Sequence, residues 1–163
     1  MSTLIKLSFP NGSFNDVITI SPASVTNNSA RESTALSNAT NLDLDALVQA
    51  KIKTGASGTS STGYINLWVY ASADNGTTYP DNVTGTDANI TLVNPNNLVW
   101  LGSFNCVANA TTYKSPLFSV ASKFGGILPV KWGIVIENKT GGTLDSTAGN
   151  HAVTYLRVQG QTV

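Results

Sequence analysis

Charge is scarce in this 163-residue chain: nine basic and nine acidic residues make up 11% of it and cancel to a formal net charge of zero. That is about half the usual charged share of a globular protein. No basic run occurs. Lys51 and Lys53 are the tightest cluster, on a strand that also carries Asp43 and Asp45, so a phosphate-neutralising surface for nucleic acid is not expected. Cys106 is the single cysteine, which rules out an intrachain disulfide. In an apolar strand it reads as a small buried residue rather than a reactive thiol. With His151 the single histidine, imidazole and thiolate ligands are too few for a transition-metal site. No serine sits in an elbow motif that would make His151 part of a triad, so a turn or strand-edge histidine is expected. A Gly-rich phosphate loop between strand and helix is also lacking. No catalytic residue, metal or cofactor is therefore called for, and no enzyme is expected. The opening stretch, MSTLIKLSFPNGS, has no apolar run of membrane-span or signal-peptide type. It reads as cytosolic synthesis in a cell that keeps thiols reduced.

What the chain has is 41% apolar residues in a background of Ser, Thr, Asn and Gly. That is enough to bury a core in one domain of this length. The surface it leaves is one of hydroxyls and amides, with weak electrostatic protection against association, so much of it is expected to be covered in an oligomer or larger assembly. The clearest period is in LPVKWGIVIENKT, residues 128–140. Val130, Trp132, Ile134 and Ile136 alternate with Lys131, Gly133, Val135 and Glu137, as in a strand with a large, β-branched buried face. Asn138, Gly141 and Gly142 close it with turn chemistry. This is expected to be a central strand of an antiparallel sheet.

Other strands follow from the same alternation. Leu44, Ala46, Val48, Ala50 and Ile52 share one face of a long half-buried strand, with Asp43, Asp45, Lys51 and Lys53 on a wet, mixed-charge face. Ile65, Leu67, Val69 and Ala71 lie on one side of the next, and Tyr64, Asn66, Trp68 and Tyr70 on the other. In the strand 98–107, Leu98, Trp100, Gly102, Phe104 and Cys106 are expected to face together. A last strand runs from His151 to Gln159. One helical turn is expected over Ser119–Phe124, stopped by Gly125 and Gly126. Six to nine strands with Gly/Asn/Pro turns make an all-β protein, an antiparallel β-sandwich or jelly roll. Trp68, Trp100 and Trp132 are evenly spaced, but the segments between them do not match, so this is no repeat.

Residues 1–41 differ. Ile5, Leu7 and Phe9, then Val17, Ile18 and Ile20, are short apolar pieces around a polar run, SPASVTNNSARESTALSNATN, without a period. They are expected to form an extended N-terminal arm with short strands, lying on the body (42–163) or on a neighbouring subunit; these six side chains are too apolar to leave in water. Three further patterns carry chemistry in other settings. Eight N-x-S/T sequons, at Asn11, Asn27, Asn38, Asn75, Asn82, Asn89, Asn109 and Asn138, reflect Asn/Thr abundance in a chain without a signal peptide. Asp74, Asn75, Asp81, Asn82 and Asp87 offer oxygen ligands for calcium, but without the regular loop spacing, so turn residues are expected. Tyr64, Trp68 and Tyr70 form an uncharged aromatic face suited to stacking on sugar rings, although packing is the commoner use of such residues.

The second half also resembles a family. The phrases Lys51-Ile52-Lys53-Thr54-Gly55-Ala56-Ser57-Gly58-Thr59, Gly76-Thr77-Thr78-Tyr79, Phe118-Ser119-Val120-Ala121, Phe124-Gly125-Gly126, Leu128-Pro129 and Trp132-Gly133-Ile134-Val135-Ile136-Glu137-Asn138 are similar to those of small, Asn/Thr-rich virion proteins of tailed bacteriophages. The resemblance spans roughly residues 46–158 and leaves the arm out. It implies a β-sandwich structural component of a phage particle, most plausibly a capsid decoration or cement protein assembled in the bacterial cytoplasm. Its partners would be the major capsid protein and copies of itself, with no direct nucleic acid or membrane contact. A tail or head–tail connector component, or a carbohydrate-binding or adhesin module with a glycan partner, are the alternatives.

Overall fold

The computed structural model describes residues 5–10, 12–13 and 16–162. Leu4 and the Asn11 sequon lie outside the described residues. Two antiparallel sheets pack face to face. The first runs in the order β1 (Ile5–Ser8), β12 (Ala152–Thr162), β5 (Asp45–Lys53), β10 (Phe118–Ser119), with β2 (Asp16–Ile18) also paired to β12 and β9 (Thr112–Lys114) to β5. The second runs β7 (Ala88–Ile90), β3 (Ala30–Glu32), β11 (Lys131–Lys139), β6 (Tyr64–Ser72), β8 (Val99–Asn105), with β4 (Leu36–Ser37) also on β11. The fold is thus an all-β sandwich, and β11 is the central strand of its sheet. The described residues hold twelve strands, beyond the six to nine expected, because seven of them have only two to four residues. Among the described residues helix is confined to single 3-10 turns; the one at Ala121–Phe124 ends on Gly125 at φ 69°. No helix among the described residues is long and apolar enough to cross a membrane.

Alternation in the long strands builds the core. Ala46, Val48, Ala50 and Ile52 of β5 meet Ile65, Leu67 and Val69 of β6 and Trp132, Ile134 and Ile136 of β11 across the sheet interface. Each fully buried Val, Leu or Ile contributes about 1.5–3 kcal/mol of hydrophobic stabilisation. Trp132 meets Tyr155 of β12 edge-on, ring centroids 5.6 Å apart. Cys106 is buried, and burial pushes its thiol pKa up to about 12.

Several local expectations are corrected. Trp100 does not face with Phe104 and Cys106. Leu67 pairs with Gly102 but Trp68 pairs with Trp100, so Leu101 is an extra residue in β8, a β-bulge. Leu101 and Gly102 both turn to the core side, and Trp100 is left 51% exposed on the opposite one. β11 begins at Lys131, so Val130 is exposed rather than in line with Trp132. Asp45 keeps the outward, half-exposed parity of Lys51 and Lys53 on β5, but Asp43 leaves that face. Asp43 is buried and accepts from Arg157 Nε at 3.0 Å and Gln159 Nε2 at 2.7 Å. Asp45 accepts from the Ala121 N–H at 2.8 Å and Ser119 Oγ at 2.6 Å, pinning the 3-10 turn to β5.

The polar run after Ile20 is woven into the second sheet. Ala30–Glu32 pairs with Glu137–Val135, and Leu36–Ser37 with Trp132–Lys131. Ile18, 1% exposed, and Val25 belong to the main core. A second, smaller core lies on the outer face of this sheet. There Tyr70, Val135, Ala30 and Leu98 are roofed by the loop that follows β6, which contributes Val83 to the cluster.

Candidate functional site

Two surfaces stand out, at one end of the sandwich and on the outer face of the second sheet. The end is the one where β5 and β11 begin and β6 and β12 finish. Here β12 outruns β5 and pairs only with β1, Ile5 opposite Thr162 and Leu7 opposite Gly160, as a projecting ribbon. Ile5 is 74% and Leu7 67% exposed. A methyl group at Gly160 would stand 3.4 Å from Ile5 Cγ2 and 3.8 Å from Leu44 Cδ1, which places those two side chains beside each other. Asn38 ties Leu42 and Val130 to the same end. Its N–H donates to Val130 O at 2.8 Å, its side chain brackets the Asp43 backbone, and Leu42 N–H donates to Asn38 O at 3.0 Å. Leu42, at φ 51°, is held in a left-handed turn that turns its side chain to solvent. Next to Val130, a groove of about 580 Å³ is lined by Ala71, Phe124, Ile127, Leu128 and Pro129. Ile5, Leu7, Leu42, Leu44, Ile127 and Val130 are thus all exposed at one end.

The six apolar residues of the N-terminal stretch divide. Ile5, Leu7, Phe9 and Val17 are exposed, Ile20 is half-buried against the core, and Ile18 is inside it. Ile18 is therefore not offered to a partner. Leu42 and Ile127 sit in turns or loops, where no period marks a side chain as facing in or out. Leu44 and Val130 are placed by alternation on the buried faces of their strands, but each lies one residue before its strand begins and is exposed, which corrects that reading.

The outer face of the second sheet is half covered. Tyr70, 1% exposed, lies under the roof loop, its ring edge-on to Tyr79 at 5.2 Å and its hydroxyl donating to Ser33 O at 2.6 Å. Burial raises its pKa. It does not join Tyr64 and Trp68 in an open aromatic face. The uncovered half has its own rows, set by register: Asn105, Tyr64 and Lys139; Ser103, Asn66 and Glu137; Trp100, Trp68 and Val135. Glu137 Oε2 accepts from Asn66 Nδ2 at 2.9 Å and from the Trp68 indole N–H at 3.1 Å, and Lys139 Nζ is 3.0 Å from its Oε1. Burial opposes the charge on Glu137, but these three donors together hold its carboxyl below the usual range.

The other patterns resolve into structural roles. Asp74 caps its own turn, accepting from Ser72 Oγ, the Thr77 and Thr78 N–H groups and Thr78 Oγ1. These bonds hold its carboxyl well below the usual range. Asp81 accepts from the backbone of Val93 and Asn94, and Asp87 pairs with Arg31 at 2.6 Å. Their oxygens are taken up by donors of the chain itself. His151 is buried; Lys53 N–H approaches its Nδ1 at 3.4 Å, which leaves Nε2–H to donate to Asp145 O at 2.8 Å. Neither nitrogen faces a nucleophile. Asn38 and Asn138 are buried with both side-chain ends hydrogen-bonded, so neither sequon presents a free amide. The chain matches no protein-family model, no curated protein and no solved structure.

Proposed function

We propose that the protein is a structural component of a tailed-phage particle, of the capsid decoration or cement type, which docks on the major capsid protein through its apolar end. The observation that carries this reading is the gathering of Ile5, Leu7, Leu42, Leu44, Ile127 and Val130 at one end of an otherwise well-packed sandwich. Contiguous exposed aliphatic surface is unfavourable in a free protein and is characteristic of an interface. With a formal net charge of zero, the chain brings little long-range repulsion to close packing of copies on a shell. The β1–β12 ribbon extends past the body and adds contact area where the end alone is small. The same end would serve a tail or connector position, which differs only in what it meets.

The test is co-sedimentation of purified protein with empty shells of the encoding phage that lack it. The wild type is expected to bind and to raise the temperature at which filled particles release DNA. A Leu7→Asp, Leu44→Asp double variant is expected to keep its melting temperature and lose both effects. Undiminished binding by that variant would overturn the apolar-end reading, and binding to tails alone would move the position from shell to tail.

A further inference from the structure

We infer that the uncovered half of the outer face of the second sheet is a binding platform for a neutral oligosaccharide. The β8 bulge is what makes it. By inserting Leu101, it brings Trp100 out of the core side and sets it directly opposite Trp68 on the outer face. Two indoles then stand side by side on adjacent strands, with the Tyr64 ring at the far end of the same face of β6. Trp68 is fixed by its N–H bond to Glu137, and Trp100 by the Lys123 ammonium 5.5 Å from its ring centroid. The hydrogen-bonded Trp68 ring does not need ligand to be held in place, which lowers the entropic cost of binding.

Between the rings lie Asn66 and Ser103, and beside Tyr64 lies Asn105, amides and a hydroxyl of the kind that pair with sugar hydroxyls, while indole faces suit the C–H faces of a pyranose. Aliphatic side chains, the staple of a protein interface, are nearly absent: among the three rows only Val135 is one, and it is buried. Charge points to the class of ligand. The two charged members of the rows, Glu137 and Lys139, neutralise one another at 3.0 Å, and the further charge at the rim, the Lys123 ammonium, is already engaged by the Trp100 ring, so the face carries little field to favour an acidic or a basic partner. From Tyr64 to Trp68 the platform is about 13 Å long, and three strands make it about 10 Å wide, the footprint of a short oligosaccharide. It continues past Glu137 and Lys139 into a polar cleft of about 290 Å³, lined also by Asn28, Ser29, Thr91 and Pro95. The wall there is the loop that roofs Tyr70. The platform lies on a sheet face separate from the apolar end, so this inference does not rest on the decoration reading.

The experiment is tryptophan-fluorescence titration of the full chain with tetra- to hexasaccharides of glucose, galactose, mannose and N-acetylglucosamine, with melting curves run in parallel. At least one oligosaccharide is expected to bind and perturb the fluorescence. Trp100→Ala is expected to weaken that affinity about tenfold or more without moving the melting temperature, since Trp100 is largely exposed, and Trp100→Tyr to restore part of it. The Leu7→Asp, Leu44→Asp variant is expected to bind sugar as the wild type does. Absence of binding to every oligosaccharide at millimolar concentration would overturn the inference, as would equal affinity in Trp100→Ala. Binding confined to sialylated or sulfated glycans and abolished by salt would overturn the neutral class. Loss of shell co-sedimentation in Trp100→Ala, with no sugar bound by the wild type, would make the face a protein interface instead.

Discussion

Gly133 stands directly opposite Tyr70 in the β11–β6 ladder, and the space a side chain would need there is filled by the Tyr70 ring. A methyl group at Gly133 would overlap the ring's Cζ and hydroxyl oxygen. The glycine thus lets a tyrosine lie flat against the sheet under its roof, with its hydroxyl bonded to Ser33 O. Gly133→Ala is expected to destabilise the protein by about 1–3 kcal/mol through overpacking. Tyr70→Ala, which opens a cavity in the second core, is expected to cost about 3–5 kcal/mol. In the Tyr70→Ala background the added methyl group has room, so Gly133→Ala should then cost almost nothing. Denaturant melts of the four proteins give the coupling directly; additive effects would mean that ring and glycine do not compete.

Glu32 holds the roof loop down. Its side chain is fully buried, and its two oxygens accept from the N–H groups of Thr84 and Gly85 at 2.9 Å each and from Thr84 Oγ1 at 2.8 Å. Truncation to alanine strands these loop donors away from a partner, at about 1–3 kcal/mol for a neutral donor and more where the lost acceptor is charged. Glu32→Ala is therefore expected to lower the melting temperature and to make the segment from Ala73 to Leu92 the first site of limited proteolysis. Glu32→Gln, which keeps one acceptor oxygen, should be milder. Cleavage starting elsewhere in Glu32→Ala would show that the roof does not depend on this carboxylate.

His151 makes the sandwich sensitive to mild acid. Burial lowers its pKa from the ordinary 6.5, the Asp145 carbonyl and carboxylate push the other way, and Lys51 and Lys53 add to the lowering. A proton on Nδ1 would also face the Lys53 N–H, which now points at that atom. With the folded pKa below the unfolded one, the unfolded chain binds more protons in the interval between them. The stabilisation is present above about pH 6.5 and is lost as pH falls through the folded value. A melting series from pH 7.5 to 5 is expected to slope downward in the wild type and less in His151→Asn. The lowered carboxyls of Asp87 and Glu137 act at more acidic pH, so they leave this window clear.

The parts of the fold legible in sequence are those where one strand carries enough alternation to declare its own faces. β5, β6 and β11 are nine residues each, and their inward positions are the core. Trp100 was misplaced because a bulge is a relation between two strands: nothing near Leu101 says that Trp68 will pair one residue further on. Ala30–Glu32 has no strand preference of its own, and becomes a strand because β11 has an open edge beside it. Buried Glu32 likewise makes sense only once Thr84 and Gly85 are brought over it. The apolar end was half legible. Ile5 and Leu7 alternate visibly, whereas Leu42, Ile127 and Val130 owe their exposure to turns whose geometry is set from elsewhere.

The same division gives a prediction about the N-terminal stretch, whose two parts should answer differently to truncation. Through Phe9 it contributes β1, an edge strand paired to a part of β12 that already lies beyond β5, with Ile5 and Leu7 in solvent. Among the described residues, removing the stretch through Phe9 takes away exposed apolar surface and one ladder, but no core. Continuing to residue 41 removes Ile18 and Val25 from the main core, and β3 and β4 from beside the central strand. It also removes Ser33, whose Oγ accepts from the Ile134 N–H at 3.0 Å, so β11 loses partners along one whole edge. Large-to-small loss of two core side chains costs about 2–5 kcal/mol each, which by itself spans the whole stability of many domains. The shorter truncation is expected to remain folded, with a melting temperature within a few degrees of the full chain and less self-association by light scattering. The longer one should be insoluble or lack a cooperative melt. A folded 42–163 fragment would mean that the second sheet closes without β3, and that residues 16–41 are an accessory after all.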